Sequence, residues 1–365
     1  MKITLQRNPL LQAMQRCQSV VEKRHTVPIL ANVLLEADQG TLRITANDME
    51  VGIRSEVSAK VEQQGTLTVS ARKLFDILRN LDAEREIHIE VEGDYVALRA
   101  GSFKTRLVTM PADEFPSLKE DDAHASIRLT GIHLAEMIAA TSFAMSTDET
   151  RKYLTGTLFE LKNQQMNLVA TDGHRMAIAE IPLAADIPEC QCIVPRKAVH
   201  EIRKLCEGID EQVELVFGER QIRLNTGSEL LVSKIIDARF PVYQDVIPTS
   251  NPNIALIPRQ AFDQAITRTM IVANEVTHDL RLCFADDRLV INAHNNDQEQ
   301  AEEQVSVDYK GQELIIGFNG SYLRDVLNVV SSEWVRMELK DELSPILMHG
   351  EGDTRARYVI MPMRI

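Results

Sequence analysis

At 365 residues, with 44% hydrophobic and 26% charged residues, the chain has room for two or three domains and the balance of an ordinary globular protein. No apolar run approaches the roughly 18 residues needed to cross a bilayer, and MKITLQRNPLLQAMQRCQ at the N-terminus lacks the apolar core and cleavage site of a secretion signal. A net charge of −14 excludes a uniformly basic, phosphate-gripping surface, so any nucleic-acid contact has to rest on locally concentrated positive charge.

The first amphipathic helix is expected around Leu10, Leu11, Met14, Cys17 and Val21. Strand-like LRITAND ends at Asp48, SARKLFDILRNL (70–81) has a helical apolar stripe, and IHIEVEGDYVALRA reads as a hairpin turning at Gly93-Asp94. After the polar link Lys119 to Asp122 the same order returns. A helix carries Leu134, Met137, Ile138 and Thr141; NLVATD ends at Asp172; VPRKAVHEIRKL (194–205) is helical; VELVFGERQIRLN turns at Gly218-Glu219. Beyond the link Pro248 to Asn253 it returns again. Phe262, Ala265, Ile266 and Thr269 mark a helix, LVINAHN ends at Asn295, FNGSYLRDVLNVV (318–330) is helical, and VRMELKDELSPILM turns at Asp341-Glu342. Ala71, Pro195 and Asn319 open the three second helices at intervals of 124 residues. The chain is therefore expected to be an α+β protein of three repeated domains, 1–122, 123–249 and 250–365, each with two helices and antiparallel strands.

The five cysteines, Cys17, Cys190, Cys192, Cys206 and Cys283, are scattered and odd in number, which predicts a reduced, cytoplasmic chain without disulfides. Cys190 and Cys192 have no second Cys/His pair to complete a metal site, so no metal is expected. The basic residues are better ordered. Arg72 and Arg196, Lys73 and Lys197, and Arg79 and Arg203 occupy matched positions on the second helices of repeats one and two. Repeat three has Gly320, Ser321 and Leu327 in their places. Basic positions repeated in an acidic chain suit a surface that surrounds a polyanion loosely, through contacts indifferent to base sequence.

TVPILANVLLE (26–36), TLTVSARKLFDILRNL (66–81), TMPADEFPSL (109–118), RKYLTGTLFE (151–160), LVATDGHRMAIAE (168–180), IVPRKAVHEIRKL (193–205), RFPVYQDVIP (239–248), GFNGSYLRDVLN (317–328) and YVIMPMRI (358–365) together resemble the bacterial DNA polymerase III beta subunit family over essentially the whole length. ATDGHR and YVIMPMR carry most of the specificity, and RFPxY supports them. The resemblance implies a head-to-tail homodimer whose six similar domains close a ring, with helices lining the hole and sheets outside. It implies a processivity factor without catalytic activity or cofactor, placed on double-stranded DNA by an ATP-driven clamp loader.

The same resemblance implies site residues. Arg24, Arg72, Lys73, Arg196 and Lys197 match positions facing DNA, the matched Arg79 and Arg203 extend that set, and Arg151 and Tyr153 lie in a loop near the duplex. Lys152 stands where the family's best-known member has an aromatic. A cleft between domains two and three is implied at Leu154, Thr171, Gly173, His174, Arg175, Met176, Pro241, Val246, Asn319, Tyr322, Val359, Met361, Pro362, Met363 and Arg364. There the alpha subunit of the replicative polymerase, the loader, and other polymerases and repair proteins would insert a short peptide. Leu154, Met176, Val246 and Met361 are expected to form an adaptable apolar pocket, and Gln244 and Pro345 depart from the family pattern. A dimer seam is implied between Lys104, Thr105, Arg106 and Leu107 and a partner's Ile271 and Val272. Glu299, Glu302 and Glu303 would meet Arg99, Lys104 or Arg106 across it, and Thr105 stands where the family often has an aromatic.

Two other functions fit fewer residues. Asp172-Gly173-His174-Arg175 suggests acid–base catalysis, but no nucleophile motif, metal cluster or phosphate loop accompanies it. A protein scaffold that does not encircle DNA would use the cleft alone and leave the matched basic positions without a role.

Overall fold

Period-two apolar patterning over most of the chain dictates sheet, and every sheet needs an apolar layer against one face. The computed structural model describes residues 1–21, 27–183 and 187–364. There the strands form antiparallel sheets of five, eight, nine and four strands. Six α-helices accompany them: α1 (Arg7–Val20), α2 (Ala71–Arg79), α3 (Gly131–Thr141), α4 (Arg196–Cys206), α5 (Arg259–Met270) and α6 (Gly320–Val329). No described helix is long and apolar enough to cross a membrane.

The contacts gather the chain into two compact units, 1–135 with 197–235 and 136–196 with 236–365. The cause is strand pairing across repeats. In the first unit, Val51–Ser58 from the first repeat pairs with Glu229–Lys234 from the second, joining their strands into the eight-stranded sheet. In the second unit, Arg175–Pro182 pairs with Asp353–Ile360, and the nine-stranded sheet again mixes two repeats.

The expected helical stripes face the interior. Leu10, Met14 and Cys17 of α1 are buried, with Leu74 and Leu78 of α2 and Phe262, Ala265, Ile266 and Thr269 of α5. Val21 falls one residue past α1, whose last residue is Val20. Pro195 and Asn319 precede their helices and do not open them: Pro195 ends a strand, and the Asn319 side chain caps α6 by accepting from the Ser321 amide at 2.8 Å. The first hairpin turns at Gly93-Asp94, where Gly93 takes φ +63°, a conformation that favours glycine. The second turns one residue later than expected, at Glu219-Arg220. The third opens into a loop over 340–345, because Asp341 accepts from the Leu343 and Ser344 amides and Pro345 cannot donate to a ladder.

All five cysteines are free thiols. Burial pushes Cys17 and Cys206 up to about 12 and Cys190 to about 11, so none is poised as a nucleophile. No group of described residues has the makings of a metal site.

Within the first unit α1 is tied to the strand Glu229–Lys234 by an ion pair from Arg16 to Glu229, whose carboxylate is buried and also accepts from the Thr226 and Ser228 hydroxyls. Arg16→Met removes the counter-charge and leaves a buried anion. It is expected to cost about 2 kcal/mol, below the roughly 3–5 kcal/mol of fully buried pairs because Arg16 is partly exposed. Urea unfolding checks this, and adding Glu229→Gln is expected to recover most of the loss.

Candidate functional site

The turn between strands Gln165–Thr171 and Arg175–Pro182 shows why ATDGHR has its residue types. Asp172 caps its own turn: Oδ1 accepts from the His174 and Arg175 amides at 2.9 and 3.0 Å. Gly173 takes φ +92°, and a Cβ there would stand 3.0 Å from Nη1 of Arg151. The Thr171 hydroxyl closes the turn by donating to the Arg175 carbonyl at 2.6 Å.

Arg175 folds back from this turn and is almost fully engaged. Its guanidinium donates to Asp172 at 3.1 Å, to Asp325 of α6 at 2.5 Å and to the Phe143 carbonyl at 3.0 Å. It also lies over the Tyr322 ring, 4.5 Å from the centroid, while His174 stacks on that ring at 6.5 Å. Burial, with the Asp172 carboxylate next, raises the Tyr322 phenol above its ordinary pKa. Three donors in a rigid fork plus a cation–π face make Arg175 a bracket that holds the turn, α6 and the Phe143 backbone together.

The C-terminal segment is delivered by the pairing of Asp353–Ile360 with Arg175–Pro182, in register Met176 to Val359. Tyr358, Val359 and Ile360 are buried, since both faces of the sheet are covered here. Past Ile360 the chain leaves the ladder: the Met361 amide donates to the His174 carbonyl at 2.9 Å and the Met363 amide to the Gly317 carbonyl at 2.8 Å. Met361, Pro362, Met363 and Arg364 therefore run beside the turn and reach solvent at least in part.

The resulting surface has two layers. Leu154, Met176 and Val359 are core residues, the last two packed with Leu158, Val169, Phe240 and Tyr243. Met361, Val246 and Val242 are exposed apolar residues, Pro241 and His174 are exposed as well, and Tyr322 is half-buried. The expected pocket of Leu154, Met176, Val246 and Met361 is thus split between floor and surface. In RFPVYQDV the large rings turn inward: Phe240 and Tyr243 are buried, the Tyr243 hydroxyl donating to Glu160 at 2.7 Å, which leaves Pro241, Val242 and Val246 outside. Val242, Asp325 and Phe143 escaped sequence reasoning. Only Asp325 left a local trace, three residues beyond Tyr322 on one helix face.

The basic residues divide according to local partners. Arg24 lies outside the described residues. On α2, Arg72, Lys73 and Arg79 are exposed, and Asp76 stands 3.7 Å from both arginines. Arg203 pairs with Glu207 at 2.9 Å. Lys197, matched to Lys73 in sequence, donates to the Val20 carbonyl at 2.8 Å and forms an ion pair with the buried Asp48. Arg196 donates to the Met145 and Ser146 carbonyls at 3.0 and 2.7 Å. Arg151 pairs with Asp148 at 2.9 Å, a carboxyl held below its usual pKa by the Thr150 hydroxyl and amide and then by Arg151. Tyr153 packs against the Met176 and Val359 core.

Two open sheet edges complete the picture, one in each unit. Phe103–Val108 is the outermost strand of the five-stranded sheet, with Lys104 and Arg106 exposed and Thr105 and Leu107 half-buried. Gln300–Ser306 is the outermost strand of the four-stranded sheet and carries Glu302 and Glu303. Glu303 accepts from Arg268 at 2.7 and 2.9 Å, which lowers its pKa, and Glu299 accepts from Asn295. Arg106 lies over Tyr95 and, like Arg99, near Glu92. Ile271, just past α5, is 80% exposed and Val272 is half-buried.

Three family models match the chain end to end: the N-terminal domain of the DNA polymerase III beta subunit over residues 1–119, its central domain over 128–242 and its C-terminal domain over 244–364. The chain belongs to the DNA polymerase III beta subunit family. Its relatives there are sliding clamps. The beta sliding clamps of Escherichia coli K12 and Pseudomonas putida are 37% and 39% identical to it, with all of both chains covered. Among solved structures, a sliding clamp from Pseudomonas aeruginosa bound to griselimycin superposes with a TM-score of 0.97 at 39% identity, and one from Bartonella birtlesii, also bound to griselimycin, with 0.95 at 33%; both chains are fully covered in each case.

Gly173→Ala tests the turn. Alanine is strained at φ +92° and its methyl presses on Arg151, so a loss of about 1 kcal/mol is expected. Thermal melting checks it, with Gly93→Ala, whose Cβ meets nothing within 4 Å, isolating the backbone contribution.

Proposed function

We propose that two copies of this chain join head to tail into a ring that encircles duplex DNA, slides on it without reading sequence, and tethers the replicative polymerase and other partners through the surface around His174, Tyr322 and Met361. The ring requires no turnover of its own; an ATP-driven loader opens it. The repeats 1–122, 123–249 and 250–365 act as its clamp domains.

One observation carries the reading: a single chain presents one basic and one acidic open strand edge, Phe103–Val108 and Gln300–Ser306. An exposed edge is a template for pairing, and unlike edges on the same chain pair head to tail. Closure after two copies satisfies both. Lys104 and Arg106 then face the partner's Glu302, while Glu303 stays with Arg268 on the helix-covered face, and the charges set orientation more than affinity.

The DNA-facing set is Arg24, Arg72, Lys73, Arg79, Arg151, Tyr153, Arg196, Lys197 and Arg203. Exposed Arg72, Lys73 and Arg79 support the phosphate role directly. Arg196 and Lys197 also hold backbone carbonyls, so replacing them mixes stability with DNA contact. Neutralising Arg72, Lys73 and Arg79 together is expected to shorten retention on circular DNA and to lower the slope of log affinity against log salt by up to roughly five, since a ring of two copies loses each cation twice. Peptide binding should stay as in wild type. Unchanged retention and salt slope would remove α2 from the DNA-facing surface.

The cleft accepts an extended peptide with bulky apolar ends, matched to the Met361, Val246 and Tyr322 surface. Met363→Ala is expected to weaken a polymerase-derived peptide about tenfold in fluorescence anisotropy, the effect of one buried apolar contact. The mass of the dimer should not change; its dissociation would make the C-terminus part of the assembly instead.

A further inference from the structure

The strand Phe103–Val108 has two faces. Lys104, Arg106 and Val108 share one. Phe103, Thr105 and Leu107 share the other, opposite Ala100, Leu98 and Val96 in register. Those three partners are buried, so this is the core face of the five-stranded sheet. Phe103 on that face is nevertheless 39% exposed. Nothing on its own sheet lies beyond it, because its strand is the outermost one. Thr105 in the middle of the row offers little apolar area, so Phe103 is the largest side chain the row presents.

The acidic edge has the complementary arrangement. Helix α5 packs against the strand Gln300–Ser306 and its neighbours, and Arg268 in its last turn holds Glu303. Ile271 follows one turn later, its amide bonded to the Arg268 carbonyl at 3.3 Å, and it stands 80% exposed. It therefore sits on the helix-covered face of its sheet, close to the open edge.

When two antiparallel edges pair, the core faces of the two sheets become one continuous face. A core-face aromatic at one edge then meets a core-face apolar side chain at the other. We infer that Phe103 is the apolar anchor of the seam, its ring packing on the partner's Ile271 while Lys104 and Arg106 face the partner's acidic edge. The charged row orients the two copies and the ring supplies area, since an aromatic buries more surface than any other side chain in the row. This rests on the head-to-tail dimer proposed above, and the experiment separates the two.

Sedimentation velocity over a dilution series of the full chain measures the dimer for wild type, Phe103→Ser, Ile271→Ser and the double variant. Each substitution acts at both seams of the ring. Phe103→Ser is expected to raise the dissociation constant roughly 100-fold or more. Phe103→Leu should raise it about tenfold, and it serves as the test if the serine variant melts below wild type. The double variant should be weaker than Phe103→Ser by far less than the Ile271→Ser effect, as coupled contacts require. A Phe103→Ser dimer as tight as wild type, beside an Ile271→Ser dimer that dissociates, overturns the anchor and leaves the dimer standing. Additive effects of the two substitutions overturn the contact between them. A wild-type chain that is monomeric at every concentration overturns the dimer itself.

Discussion

Backbone hydrogen bonding at strand edges governs most of what this chain builds. A strand with a free edge leaves a row of amides and carbonyls without protein partners. Here two such edges are closed by pairing strands from different repeats, Val51–Ser58 with Glu229–Lys234 in the first unit and Arg175–Pro182 with Asp353–Ile360 in the second. The second ladder also creates the candidate site. It lays residues 358–364 beside the turn at 172–174, and the Met361 and Met363 amides continue the pairing once the regular strand has ended. Among the outermost strands of the four sheets, Phe103–Val108 carries cations and Gln300–Ser306 carboxylates, and those charges decide what can pair there.

Arginine and lysine perform three different tasks in this acidic chain. Arg175 and Arg196 use their planar forks to satisfy carbonyls between Phe143 and Ser146, so one short backbone segment is held by guanidinium groups from two directions. Lys197 neutralises a buried carboxylate and caps the end of α1. Arg72 and Lys73, by contrast, reach water. Identical residue types at matched repeat positions have separate roles because Arg196 and Lys197 found open carbonyls and a buried carboxylate within reach, whereas Arg72 lies 3.7 Å from Asp76 on its own exposed helix face.

Much of the architecture was legible from the chain. Period-two runs marked the strands, apolar stripes such as Phe262, Ala265, Ile266 and Thr269 marked the buried helix faces, and Gly93-Asp94 marked a tight turn. These signals are local: each depends on residues within one or two turns of backbone. The ATDGHR turn was visible as a motif, and its types follow from local needs, an aspartate to cap, a glycine for the left-handed conformation, an arginine to reach back. What Arg175 reaches was not visible, because Asp325 and Phe143 lie 150 and 32 residues away.

By itself the amino-acid sequence determined the α+β class, the three-fold repetition, the family and the residue types at the candidate site, because periodicity and motif spacing are written along the chain. Tertiary structure decided which apolar residues of that site are floor and which are surface, and which matched cations reach solvent. It also placed Phe103 at an open edge with its ring on the core face. These outcomes depend on which strand ends up outermost and which carbonyl meets which side chain. Contacts between residues far apart in sequence set both, and no local pattern encodes them.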